Sequence, residues 1–114
     1  MRDLQIKVIQ FRDDRDWAQY HNPKDLAVSL SLEAAELLEI FQWKGNAEVE
    51  ALKSDTEVRK RIKEELGDIF IYALTMAHEF GLDPTEVVLH KVKVNEEKYP
   101  ADRVKGKAEK YTAY

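Results

Sequence analysis

Apolar residues recur along this chain at helical spacing, and no segment alternates as a strand would. Leu4, Val8, Phe11 and Arg15 share one side of a first helix, expected to end near Trp17. "QYHNPKD" reads as a turn, with Pro23 opening a second helix that runs to about Trp43. Lys44-Gly45-Asn46 stops it, and residues 46–55 form a polar connector with room for one short helical turn. In "SDTE", Ser54 is the expected N-cap and Glu57 its capping-box partner, opening a third helix that reaches Phe80 before Gly81. "DPTE" opens a fourth, with Asp83 as cap, Pro84 at the first position and Glu86 completing the box; it should run to about Tyr99. Residues 101–114 read as an extended or weakly helical basic tail. The pattern predicts an all-α fold of four main helices in a bundle, one domain over residues 1–114, with the two longest helices in the middle.

The two long helices carry acids where apolar side chains are expected. At roughly 100° per residue, Leu26, Leu30, Leu37, Ile40 and Phe41 all fall within about 80° of Glu33. Glu33 therefore sits on the apolar stripe itself, with Glu36 about 60° to one side. The third helix repeats this in "EELGDIFIYALTMA". Ile62, Ile69 and Met76 flank Glu65, Asp68 lies about 60° to the other side, and Tyr72 falls between the two acids. One acidic pair at i, i+3 is commonplace on a solvated helix. Two pairs bordering the buried faces of long helices are not, because carboxylates brought together repel and each costs several kcal/mol (about that order) to desolvate. A guanidinium could compensate, and Arg61 is the nearest. A hard divalent cation is the other solution, and an all-carboxylate set suits Mg²⁺, with Mn²⁺ as substitute.

Composition narrows the chemistry further. The net charge of −4, from 18 basic and 22 acidic residues, argues against nucleic acid as a partner. No cysteine is present, so disulfides and thiol chemistry are excluded. No run approaches a membrane span and "MRDLQIKVIQFRDDRDW" lacks a signal-peptide pattern, so the expected location is the cytoplasm, with no membrane partner. There is no glycine-rich phosphate loop and no His-Glu-x-x-His. An acidic pocket admits a phosphorylated substrate only with a metal between them. Trp17, Trp43 and Tyr72 are expected to cluster around the acids and offer faces for a nucleobase, with His21 and Lys44 close by. His78 and His90 have no metal-ligand company and read as structural.

Glu33-x-x-Glu36 and Glu65-x-x-Asp68 on successive helices resemble the MazG-like, all-α nucleoside triphosphate pyrophosphohydrolases, and most of all their dCTP pyrophosphatase branch. The likeness includes "RDW" at 15–17, "ELLEIFQWK" at 36–44, "EELGDIFIYAL" at 64–74, "KYPA" at 98–101 and "KYT" at 110–112. It implies Mg²⁺-dependent hydrolysis between the α and β phosphates of dCTP or a modified dCTP, in housecleaning of the nucleotide pool. It implies Glu33, Glu36, Glu65 and Asp68 as metal ligands and catalytic residues. Trp17, His21, Trp43 and Tyr72 would hold base and sugar, Asn95 would contact one of these, and Lys44, Lys91, Lys98 and Arg103 would contact phosphate. It implies a homotetramer built as a dimer of dimers, with sites near subunit interfaces. The connector between Trp43 and Ser54 is shorter than in some relatives, and that region can line the base pocket. A dUTP or broad-specificity pyrophosphohydrolase, and a non-catalytic oligomerisation module stabilised by a metal, are the alternatives.

Overall fold

The computed structural model of the protein describes residues 1–106; "KYT" and most of the expected tail lie outside them. The described residues contain six α-helices and no strand: α1 (Arg2–Asp14), α2 (Pro23–Phe41), α3 (Asn46–Leu52), α4 (Thr56–Glu79), α5 (Pro84–Lys98) and α6 (Ala101–Val104). A 3₁₀ turn, Ala18–Tyr20, lies between α1 and α2. The architecture is all-α as expected, with α2 and α4 the longest helices at 19 and 24 residues.

Local chemistry sets most of the boundaries. Asn22 accepts the Asp25 N–H at 2.9 Å ahead of Pro23, and Asp83 accepts the Thr85 N–H at 2.9 Å ahead of Pro84. Gly81, at φ 64°, ends α4: its N–H meets the His78 carbonyl and the Leu82 N–H the Ala77 carbonyl, a Schellman closure. Other boundaries differ from expectation. The N-cap of α4 is Asp55, whose side chain accepts the Val58 N–H at 3.1 Å, and not Ser54. Both residues have capping side chains, and Asp55 stands one place nearer the helix. The first helix ends at Asp14, three residues early, because Asp16 turns to φ 55°. The second ends at Phe41, because Trp43 takes φ 67° in a tight turn closed by Lys44 N–H to Phe41 C=O at 3.2 Å. The connector holds a seven-residue helix, α3, and Ala101–Val104 forms one helical turn of the expected tail.

α2 and α4 pack along their length as an antiparallel pair, with α1 laid across α4 and α5 against α1. The side of α1 that packs inward is not the apolar one. Gln5, Ile9 and Arg12 are buried, whereas Leu4 and Phe11 are about half exposed. The reason lies in α4 and the loop that follows it, where carbonyls and a carboxylate need partners. Gln5 donates to the carbonyls of Leu74 at 3.2 Å and Leu82 at 3.4 Å, and Arg12 donates to Glu79 at 2.6 Å. Among the described residues, Ile9, Leu26, Ile40 and Leu74, with Pro84, are the buried apolar side chains, a small core for helices of this length. Leu4, Phe11, Phe70 and Ile71 remain exposed around an open apolar hollow of about 470 Å³ between α1 and α4.

Candidate metal and nucleotide site

The antiparallel packing of α2 and α4 sets Glu33 and Glu36 against Glu65 midway along the pair. One carboxylate oxygen from each of the three lies within 4.8 Å of the others. Glu33 and Glu65 are half-buried and Glu36 is exposed, so the cluster opens to solvent along one edge. Glu33 Oε2 and Glu65 Oε2 are buried and have no hydrogen-bond partner. Buried carboxylate oxygens on neighbouring acids, with no donor from any other kind of residue, are met by a proton held between the acids or by a cation. Asp68, exposed, is not in the three-residue group, yet its charge acts on Glu33.

Electrostatics records the crowding. The neighbouring Glu65 carboxylate, then burial, then the carboxylates of Glu36 and Asp68 push Glu33 up to about 7. Glu33 thus holds a proton near neutrality unless positive charge enters the cluster.

The aromatic residues do not gather around the acids as expected. His21 precedes Pro23 and Trp43 follows Phe41, so the whole of α2, about 28 Å long, separates them. No single nucleotide spans both within one chain. Trp17 and His21 sit at the end where α1 meets α4. There Trp17 packs edge-on to Phe11, with ring centroids 5.8 Å apart. The Trp17 N–H is held by the Arg12 carbonyl at 3.1 Å. His21 Nδ1 is buried without a partner, and burial followed by the charge of Arg12 lowers its pKa. Trp43 sits at the other end, 92% exposed and in a left-handed backbone conformation that disfavours a bulky side chain, with Lys44 next to it. Of Trp17, Trp43 and Tyr72, only Tyr72 flanks the acids, one turn beyond Asp68 on the same edge of α4. Lys91, Asn95 and Lys98 lie along α5, which packs on α1, and Arg103 lies on α6; the acids stand on α2 and α4.

The Arg12–Glu79 pair, made at 2.6 Å beside His21, went unread in the sequence. Its signal was present as the stripe of Gln5, Ile9 and Arg12, which competes with the more apolar Leu4, Val8 and Phe11.

Known proteins resemble this chain in sequence and in fold. The model of the MazG-like family matches residues 28–113. Proteins named dCTP pyrophosphatase 1 from Rattus norvegicus and Homo sapiens are 35% and 34% identical to the chain over 112 residues. These matches cover 98% of this chain and 66% of each relative, so the chain spans about two thirds of their length. A crystal structure described as a pyrophosphatase from Archaeoglobus fulgidus superposes with a TM-score of 0.77 at 43% identity, covering 88% of this chain and 92% of that one. With a family model matched over residues 28–113 and the same helical fold in a solved relative, this chain belongs to the MazG-like family.

Proposed function

We propose that this protein is a Mg²⁺-dependent nucleoside triphosphate pyrophosphohydrolase that cleaves between the α and β phosphates, releasing a monophosphate and pyrophosphate. The observation that carries the reading is the meeting of Glu33, Glu36 and Glu65 within 4.8 Å, with two inner oxygens unpartnered. The relatives named dCTP pyrophosphatase 1 support dCTP, or a modified dCTP, as substrate.

Glu33, Glu36, Glu65 and Asp68 would hold Mg²⁺, with Mn²⁺ as substitute, and the nucleotide would reach them along the exposed edge. When bound, the ion neutralises phosphate charge and acidifies water. Glu33 and Glu36 are the candidates for the base that takes the proton of the attacking water. Tyr72 flanks base or sugar, and Trp43 with Lys44 offers a stacking face and a phosphate contact. Trp17 and His21 reach a nucleotide shared with Trp43 only from a second chain, because α2 keeps the two ends apart. The exposed apolar hollow between α1 and α4 supports assembly, and the arrangement proposed is a homotetramer of paired dimers. Lys91, Asn95, Lys98 and Arg103 would contact sugar or phosphate in that assembly. The expected location is the cytoplasm; among the described residues no helix is long and apolar enough to cross a membrane.

Incubation with dCTP, dUTP, dTTP, dATP and dGTP in Mg²⁺, with product identification, tests the reading. Monophosphate plus pyrophosphate, fastest from dCTP, is the expected result. Equal rates across the panel would replace dCTP by a broad specificity, and faster dUTP turnover would make dUTP the substrate. Release of orthophosphate from the γ position, or no hydrolysis while Mg²⁺ still raises the melting temperature, would overturn the enzymatic assignment in favour of another reaction or of a metal-stabilised module.

A further inference from the structure

The edge of α4 that carries the acids continues past them toward the helix N-terminus, and the next side chain along it is Arg61. On the helical wheel Arg61 lies about 40° from Glu65 and about 20° from Asp68, one turn below Glu65. It is exposed, and among the described residues it makes no hydrogen bond or ion pair. Glu65 stands at i+4 from it, but a cation N-terminal to an acid is the weaker orientation for such a pair. The other cations of this half of α4 face elsewhere. Arg59, Lys60 and Lys63 line a cleft of about 860 Å³ with Phe41 and Leu52, between α4 and the α3 connector. Lys60 and Lys63 also border a groove that touches Asp68, but they lie about 140° and 160° round the helix from Glu65.

Tyr72, the acids and Arg61 therefore follow one another along a single edge, over about 16 Å of helix. A nucleoside triphosphate has the same order of parts: base and sugar, the phosphates that need a metal, then the terminal phosphates. Four carboxylates and a triphosphate also leave the site short of positive charge even with a divalent ion bound. We propose that Arg61 binds the β and γ phosphates, the part of the substrate that departs as pyrophosphate. Its guanidinium presents a donor fork matched to phosphate oxygens and is not tied up by another residue. This assignment deepens the pyrophosphohydrolase reading and rests on it.

The test compares wild type, Arg61→Gln, Arg61→Lys and Lys63→Gln by calorimetric titration with inorganic pyrophosphate in Mg²⁺, which needs no turnover. The same proteins are assayed for inhibition of dCTP hydrolysis by pyrophosphate and by dCMP. Arg61→Gln is expected to weaken pyrophosphate binding by about tenfold or more, with dCMP inhibition and melting temperature unchanged. Arg61→Lys should recover part of the loss, since it keeps the charge and lacks the fork. Lys63→Gln should bind as wild type. Unchanged pyrophosphate binding in Arg61→Gln, or an equal loss in Lys63→Gln, overturns the proposal. Failure of wild type to release monophosphate and pyrophosphate would instead overturn the reading beneath it, while the titration still decides whether Arg61 is a pyrophosphate contact.

Discussion

Glu33→Gln will abolish turnover and, in metal-free buffer at pH 8, will melt at a higher temperature than wild type. Both effects come from one placement. Glu33 is raised to about 7 by its hydrogen bond to Glu65, then by burial, then by the hydrogen bond and charge of Glu36 and the charge of Asp68. A carboxyl raised in the folded state favours folding fully below its unfolded value of 4.5, and that contribution is lost as pH rises through about 7. In chelator, wild type should therefore lose melting temperature relative to Glu33→Gln between pH 5 and pH 8. Each kcal/mol of repulsion relieved should appear as about 4 °C in a chain of this size. Adding Mg²⁺ should reverse the order, because the cation discharges the cluster in wild type and finds one ligand fewer in the variant. Turnover should fall more than about a hundredfold, since even groups that only orient metal ligands cost 10–100-fold when removed. A variant with wild-type activity would take Glu33 out of the site, and a melting difference that does not change with pH would remove the crowding argument.

Phe70→Glu is expected to break the proposed assembly. Phe70 is 54% exposed and lines, with Phe11 at 50% and Leu4 at 51%, a hollow that nothing among the described residues covers. Large apolar side chains contiguous on a surface mark a face that meets another chain. A carboxylate in the middle of that face would have to be desolvated without a partner, at a cost of about 3 kcal/mol or more, which is enough to shift association a hundredfold. Light scattering should then report a mass near the 13.3 kDa of one chain for the variant and a multiple of it for wild type. The variant should also lose activity, because Trp17 and His21 would no longer meet the Trp43 end of another copy. A wild-type protein of single-chain mass, or a variant that assembles normally, would contradict this part of the account.

How far the sequence could be read depends on how local each signal was. Pro23 and Pro84 at first helical positions, Asp83 as a cap and Gly81 as a stop act within a few residues, and the structure has them where the pattern put them. Acids on or bordering an apolar stripe are carried toward the facing helix, so Glu33, Glu36 and Glu65 could be expected together although Glu36 stays exposed. Asp68 needed the helix rotation as well as the helix, and it stands at the rim of the cluster. The choice between Ser54 and Asp55 as cap was a one-residue ambiguity between two capable side chains. The inner face of α1 was not legible, because what decides it is the polar end of α4, nearly seventy residues away, whose acceptors draw in Gln5 and Arg12. The aromatics failed for a different reason. Trp43 shares an edge with Glu36 only while the helix continues, and the helix stops at Phe41.

The most direct test of the central claim is where a divalent ion sits. A crystal grown with Mn²⁺ and measured for its anomalous signal should show the ion among the carboxylate oxygens of Glu33, Glu36 and Glu65, reached also by Asp68, at about 2.0–2.2 Å. Density elsewhere on the protein, with those acids still facing one another unoccupied at saturating Mn²⁺, would contradict it.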